Sequence, residues 1–369
     1  MTQPFRHLYL HIPFCRHKCG YCDFNAYAGM ERLMPAYVDA LLRELEHARA
    51  TLNFAQLETV YLGGGTPSLL PVDLIERLLR GVRHVFDVAV DAEVTLEANP
   101  ASTDGEKLGM WQRGGVNRLS LGVQNFDMRA LAVLERRSDG MQGVRAFKDS
   151  RDAGFTNISI DLIYAVPYQS VASWRDSLRR TIELQPEHVS CYCLSFEEGT
   201  LLHRRRAQGV VDELGTDQQW ELLRVACDEL ASAGFSRYEI SSWARTGFEA
   251  RHNSAYWACR QYYGAGAGAH SYTSDGSTAR RWWNIARPRE YVDATPHVRA
   301  GEEELEPRRA RAERLMLGLR AEAGLEPPDG FENELQRLAE AGLVFWDERR
   351  VRPTRRGLDL HNQVALAVL

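Results

Sequence analysis

Apolar, β-branched runs recur along the first half of the chain: "HLYLHIP" (7–13), "TVYLGG" (59–64), "EVTLEA" (93–98), "RLSLGV" (118–123), "NISIDLIYAV" (157–166) and "HVSCYCLS" (188–195). Stretches of helical period lie between them. "MPAYVDALLRELEHARA" sets Tyr37, Val38, Leu41, Leu42 and Leu45 at the spacing of one buried helix face. "PVDLIERLLRGVRHVF" opens on a proline suited to a first turn. Gly154 stands at a natural C-cap, and "SVASWRDSLRRTIELQP" runs from a serine cap to the residue before Pro186. Six strand–helix repeats imply parallel strands joined by right-handed crossovers. Such sheets are covered on both faces, which accounts for nearly continuous apolar strands. The pattern predicts an α/β fold, a TIM-like barrel or part-barrel of about six (β/α) units.

The pattern changes near residue 236, where an aromatic and glycine-rich segment begins, "YEISSWARTGFEARHNSAYWACRQYYGAGAGAHSYT". A charged helical region follows Pro296. It ends in a short helix, a hairpin through "DERR" and a last helix, the order of a small winged-helix-like appendage. The expected division is a part-barrel core at 1–235, an extension at 236–300 and the appendage at 301–369.

Composition narrows the class. With 369 residues, 44% hydrophobic and 26% charged, the chain has ample apolar material for a core. A net charge of −5 argues against nucleic acid as a partner, since phosphate binding wants a basic face. The arginine runs at 204–206 and 308–311 read as solvated helix faces or helix-end anchors. No apolar stretch is long enough for a membrane span, and the N-terminus lacks the marks of a signal peptide, so a cytoplasmic location is expected. Cysteines there do not form a disulfide framework. Cys191, Cys193, Cys227 and Cys259 read as buried free thiols.

Cys15, Cys19 and Cys22 stand apart, in C-x3-C-x2-C. Thiolates favour zinc, copper(I) or iron–sulfur clusters. A structural zinc site needs four ligands, and His11 or His17 would have to supply the fourth. A four-iron cluster held by three cysteines instead leaves one iron open to another ligand.

The loop resembles that of the radical S-adenosylmethionine superfamily, whose fold is a partial (β/α)6 barrel. The resemblance implies a [4Fe–4S] cluster on Cys15, Cys19 and Cys22, with S-adenosylmethionine chelating the open iron and yielding a 5′-deoxyadenosyl radical on one-electron reduction. Tyr21 fits the aromatic preference of that loop. The remaining motifs follow strand ends, where barrel enzymes keep their chemistry. "GGGTPS" (63–68) implies Gly64, Gly65 and Thr66 against the methionine amino group. Glu97 in "LEANP", Gln124 in "LGVQNFD", Arg136 in the next helix, Asp161 in "SIDLIYAVP" and Tyr9 on the first strand complete the expected cofactor residues. Alone, each polar residue reads equally well as a structural hydrogen-bonding group.

"YLHIPFC", "KCGYCDFN", "GGGTPS", "GVQNFD", "DLIYAVP", "YEISSWAR", "RHNSAYW" and "GAGAHSY" run in the order of the oxygen-independent coproporphyrinogen oxidase-like group. The oxidase has a fourth cysteine where this chain has Phe24, and a longer segment before its cluster loop. Both departures point to the heme chaperone branch. Its H-N-x-x-Y-W motif implies heme contact by His252, Asn253, Tyr256 and Trp257, through an imidazole and flat aromatic faces. A core histidine among aromatics is the plainer alternative. "LERRS" departs from relatives around Arg136, and Arg137 is adjacent. The branch implies a heme-recipient respiratory protein, an electron donor such as a flavodoxin or ferredoxin, and room for peripheral membrane association. Anaerobic conversion of coproporphyrinogen III, or a related methyltransferase or heme-degrading activity, is the alternative.

Overall fold

The computed structural model describes residues 3–136, 139–276, 278–347 and 349–369, so Arg137 lies outside the described residues. Six parallel strands form the centre: β1 Phe5–Ile12, β2 Phe54–Gly64, β3 Val88–Ala98, β4 Arg118–Gln124, β5 Ile158–Tyr164 and β6 His188–Cys193. The connections carry α1 Met34–Thr51, α2 Val72–Val85, α3 Gly105–Arg113, α4 Met128–Val133, α5 Gly140–Asp152 and α6 Val171–Glu183. Local signals set several ends. Ser170 caps α6 with a full capping box, and Asp104 and Asp139 cap α3 and α5.

After α7 Leu201–Ala207 and α8 Thr216–Ser232, the chain widens the same sheet. β8 Ser242–Ala244 pairs antiparallel with β6, and β7 Ser236–Glu239 pairs antiparallel with β8 at the edge. α9 Arg251–Trp257 then crosses to the other side, where β9 Tyr262–Ala265 pairs parallel with β1. β10 His270–Ser274, β11 Ala279–Asn284 and, after α10 Pro288–Ala294, β12 Arg299–Leu305 follow antiparallel. The twelve strands run β12-β11-β10-β9-β1-β2-β3-β4-β5-β6-β8-β7, with two free edges. The barrel is therefore partial, as the pattern predicts, and the extension at 236–300 is built largely into the same sheet.

The strands differ from the expectation in one respect. Both faces are covered, but only one is apolar. Leu8, Leu10, Val60, Leu62, Leu96, Leu119, Leu121, Ile158, Ile160 and Val189 point outward into the core against the helices. The alternate positions are buried and polar: His7, Thr59, Thr95, Arg118, Ser120, Ser159, His188 and Ser190. Strand register aligns them in rows across the inner face. Tyr9 lies beside Tyr61, Tyr61 beside Thr95, and Thr95 beside Arg118; Glu97 lies beside Ser120, and Ser120 beside Ser159.

The appendage carries α11 Pro307–Gly318, α12 Glu332–Glu340, the hairpin β13 Val344–Trp346 and β14 Val351–Pro353, α13 Arg355–Asp359 and α14 His361–Val368. Its apolar cluster of Leu315, Leu319, Phe331, Leu335, Val351 and Val364 is separate from the main core. It docks on the sheet edge, where Glu322 N donates to Tyr238 O at 2.9 Å and Arg237 pairs with Asp359 at 2.5 Å. Among the described residues no helix is long and apolar enough to cross a membrane.

One buried carboxylate ties α1 to the late strands. Glu44, 1% exposed, accepts hydrogen bonds from Tyr263 Oη, Asn284 Nδ2, Gly266 N and Tyr291 Oη at 2.5–2.9 Å. Burial pushes its carboxyl above the ordinary range while these donors pull it back. Glu44→Ala orphans four buried donors at once. Chemical denaturation should show a loss of roughly 3 kcal/mol or more. Glu46→Ala, on the exposed side of the same helix, should stay within about 0.5 kcal/mol of the parent.

Candidate functional site

A cleft of about 790 Å³ opens at the C-terminal ends of the parallel strands and runs down the polar inner face of the sheet. The cysteine loop covers its mouth. β1 ends at Ile12, and a two-residue pairing of Phe14–Cys15 with Tyr27–Ala28 closes the loop on itself. Cys15, Cys19 and Cys22 all line the cleft. Cys15 Sγ lies 3.4 Å from Thr66 Oγ1, and Arg136 Nη1 donates to Cys19 Sγ at 3.7 Å. Burial raises the Cys15 thiol and pushes Cys22 up to about 11. A desolvated thiol keeps its proton until a positive centre replaces it.

Neither histidine completes a zinc site. His11 Nε2 faces Asn25 O at 2.8 Å, so it carries the proton, and Nδ1 accepts from Tyr9 Oη at 3.0 Å. His17 lies 3.7 Å from Glu135. Among the described residues no three His, Cys, Asp or Glu side chains converge as closely as a single ion requires. The three thiols instead face a space with room for a polynuclear group. Phe24, 60% exposed, stands on the same cleft and offers no ligand atom from its side chain.

Below the thiols sit Gly64, Gly65, Thr66, Glu97, Gln124, Arg136 and Asp161, all in one cleft. Gly64 has φ +109°, and a side chain there would strike the His11 ring at 2.4 Å. Gly65 N and Thr66 N donate to Ile12 O and Phe14 O, which clamps the glycine loop beneath the cysteine loop. Gln124 also adopts positive φ, +69°, as β4 ends. Arg136 bonds the carbonyl of Gly122, leaving a buried Nε without a partner. Glu97 accepts from Tyr61 Oη at 2.7 Å and Gly64 N at 3.1 Å. Burial, with Asp161 adding repulsion, lifts its carboxyl to about 7.

Asp161 closes a hydrogen-bonded chain. Ser120 donates to Oδ2 at 2.7 Å and Ser159 to Oδ1 at 2.9 Å. Ser159 therefore accepts from His188 Nδ1 at 2.8 Å, and His188 Nε2 accepts from Tyr238 Oη at 2.8 Å. Tyr238 Oη in turn accepts from Ala250 N, the residue that begins α9. The chain thus links the cleft floor to the HNSAYW helix.

The helix itself plugs the other end of the barrel. Glu93 receives its first amides, Arg251 N and His252 N, at 2.9 and 3.0 Å. His252, 1% exposed, has both ring nitrogens taken: Nδ1 by Thr59 Oγ1 at 2.7 Å and Nε2 by Tyr256 Oη at 2.8 Å. Its ring stacks on Tyr61 at 5.0 Å. In this arrangement His252 presents no free lone pair to an iron, which is the core-histidine alternative of the sequence. Asn253 alone of the four motif residues lines the cleft. Trp257 faces away from it, into a groove against the appendage. Tyr9 packs on Tyr61 and is not a lining residue.

Two further corrections follow. Of the four thiols expected to be buried, Cys193 is exposed on the cleft and Cys259 is half-buried. Arg118, 1% exposed, was not foreseen: it lies on the cleft floor with Nε and Nη1 unpartnered, balanced by the charges of Glu93 and Asp161. Alternation within "RLSLGV" was the available signal, since Arg118, Ser120 and Gly122 share one strand face.

Residues 9–181 match the Radical SAM superfamily. Over its whole length the chain is 39% identical to a protein named heme chaperone HemW from Mycobacterium tuberculosis, covering 95% of it. Heme chaperone HemW of Lactococcus lactis is 33% identical over 99% of this chain and 97% of its own. In fold, the chain is similar to coproporphyrinogen III oxidase (HemN) of Escherichia coli, with TM-score 0.84 and 24% identity over 99% of this chain and 90% of that one.

Glu97 has a measurable consequence. Its folded carboxyl holds a proton to about 7 and the unfolded one only to about 4.5. Between these values the folded state binds more protons, so stability falls as the pH rises through the window. Denaturant titrations at pH 5 and pH 7.5 should show a decline of up to about 3 kcal/mol that Glu97→Gln removes. The same decline in both proteins would assign it to other groups.

Proposed function

The chain belongs to the HemW family of the radical S-adenosylmethionine superfamily, and from that membership we propose that it is a heme chaperone, a carrier that binds heme and passes it to a recipient such as a respiratory protein. The observation that carries the reading is similarity over the entire chain to relatives named heme chaperone. Phe24 supports it, because the loop ends in a hydrocarbon ring where the oxidase of the group places a fourth thiol.

Cys15, Cys19 and Cys22, which line one cleft, would hold a [4Fe–4S] cluster, and three thiols would leave it open to S-adenosylmethionine. When bound, that pair supplies one-electron chemistry at the thiol end of the barrel. This chain's own residues prepare the place. Gly64, Gly65 and Thr66 let the backbone approach the cofactor; Glu97 and Asp161 offer carboxylates to its cationic groups. Gln124 and Arg136 frame it from the fourth strand and the segment beyond. A flavodoxin or ferredoxin is the class of electron donor that such a cluster needs. Heme contact falls to the HNSAYW helix. There Asn253 offers surface to the thiol cleft and Trp257 to the groove on the other side, while His252 and Tyr256, bonded to each other, hold the helix to the sheet.

Anaerobically reconstituted protein should bind close to four irons, and Cys15→Ala, Cys19→Ala and Cys22→Ala should each abolish the cluster that Cys227→Ala retains. Stoichiometric zinc without iron capacity would oppose the cluster.

The carrier reading is tested by incubating the loaded protein separately with heme and with coproporphyrinogen III. Heme should bind near one equivalent, and the porphyrinogen should persist with reductant and S-adenosylmethionine present. Repeated turnover to protoporphyrinogen would replace the carrier by an oxidase.

A further inference from the structure

The cysteine loop is fastened at three places. Gly65 N and Thr66 N hold its start, and Leu202 N of α7 donates to Gly20 O in its middle at 2.7 Å. Its end is held by a side chain. Asn25, just past Cys22, sends Nδ2 to Ala267 O and to Ala286 O, each at 2.9 Å. Both neighbours are acceptors, which fixes the amide with its nitrogen toward them. The backbone oxygen of Asn25 accepts from His11 Nε2 at 2.8 Å, so the same residue ties the loop back to β1.

Ala267 belongs to "GAGAG" (264–268), a motif to which the cofactor residues give no part. The turn is shaped around the loop. Gly268 has φ +73°, and a Cβ there would stand 2.5 Å from Asn25 Nδ2. Gly266 has φ +104°, and a Cβ there would stand 2.6 Å from His11 O and 2.8 Å from Tyr37 Oη. Tyr37 Oη donates to His11 O and accepts from Ala267 N, both at 2.8 Å. Gly268 N donates to Ile285 O at 2.9 Å, and Asn284 Nδ2 to Gly266 O at 3.0 Å, which brings the second carbonyl, Ala286 O, beside the first. Glu44 holds Gly266 N and Asn284 Nδ2 from behind. The late segment thus forms a socket, opened by missing side chains, that receives one amide.

We propose that this socket sets where the three thiols stand, with Asn25 as the positioning residue that seats them over the cleft. The proposal rests on the cluster reading and deepens it. Three thiols on one short loop can gather iron wherever the loop lies. To share a ligand with Gly64, Thr66 and Arg136 below, the loop must lie in one place, and a segment 242 residues along the chain supplies that placement. Iron uptake and cofactor binding therefore separate when the socket is lost.

Asn25→Asp keeps the size of the side chain but turns a carboxylate oxygen toward two carbonyls. Reconstituted anaerobically, it should still take up close to four irons. It should lose them to an iron chelator about tenfold faster than the parent and bind S-adenosylmethionine about tenfold more weakly, with a smaller cofactor-induced change in the electron paramagnetic resonance of the reduced protein. The metal-free variant should melt within about 2 °C of the metal-free parent. Asn25→Ala, which removes the donors without adding charge, should fall between the two. Gly268→Ala should reproduce the loss from the far side of the contact. Gly247→Ala, at φ +87° with nothing near its Cβ, carries the same backbone strain and should match the parent. The proposal is overturned if Asn25→Asp and Asn25→Ala keep iron and bind S-adenosylmethionine as the parent does. It is equally overturned if Gly247→Ala loses as much as Gly268→Ala, since backbone strain is then the cause. A parent that takes up no iron removes the cluster reading itself, and the proposal with it.

Discussion

The two-residue period of the central strands is the constraint on which everything else rests. Successive side chains of a strand point to opposite faces. Along six adjacent strands the outward set is leucine, isoleucine and valine, which the surrounding helices cover. The inward set is hydroxyl, imidazole, carboxylate and guanidinium. Helix packing stabilises the sheet from one side only, and that frees the other side to hold buried polar groups. Many of these groups satisfy one another, as in the run from Ala250 through Tyr238, His188 and Ser159 to Asp161, while Arg118 is balanced by nearby carboxylate charge. A one-residue slip in any strand would put its leucines in the cleft and its carboxylates against a helix. Register, fold and cleft chemistry are one specification.

The same logic explains why the late segment returns to the sheet. β9 pairs with β1, and Glu44 of α1 draws Tyr263, Gly266, Asn284 and Tyr291 onto one carboxylate. Both edges are thereby extended by antiparallel strands, and α9 is led across the open end of the barrel between them. Glu93 and Thr59, inward residues of β3 and β2, receive that helix. The plug depends on the polar inner face as fully as the cleft does.

How much of this was legible in the sequence varies with range. The six parallel strands were plain, because branched apolar runs alternate with helical stretches whose ends carry their own signals, such as Ser170 and Asp104. Glu97 and Asp161 stood out as carboxylates inside apolar runs, and the structure brings both into the thiol cleft. The partly polar character of those runs was masked, since "TVYLGG" and "RLSLGV" look apolar until every second residue is read by itself. β7 to β12 were not visible as strands. They are three to seven residues long, rich in tryptophan, tyrosine and arginine, and their pairing is decided by partners far away in the chain. Glu44 was hidden in the opposite way. It falls on the stripe of Leu41 and Leu45, where helical period alone puts a carboxylate at fault and only the late segment supplies its partners. The HNSAYW motif announced itself, but not the direction of its side chains.

That direction matters for how the two cavities relate. The helix that separates them is seven residues long, and its turns face different ways: Asn253 to the thiol cleft, His252 and Tyr256 into the wall, Trp257 to the groove. A helix this short has little stability of its own and takes its position from what touches it. Its start is fixed by Glu93 and, through Ala250 and Tyr238, by the hydrogen bonds that end at Asp161. Its far end rests against Arg320, whose guanidinium lies 4.2 Å from the Trp257 ring centre while its Nη2 reaches Glu239 at 3.7 Å. Each cavity is thus bounded by side chains of an element that the other also holds. Contact of this kind becomes coupling only when the shared element has two arrangements that the ligands weigh differently. The short, doubly anchored α9 is the place in this fold where such a difference would be felt in both cavities.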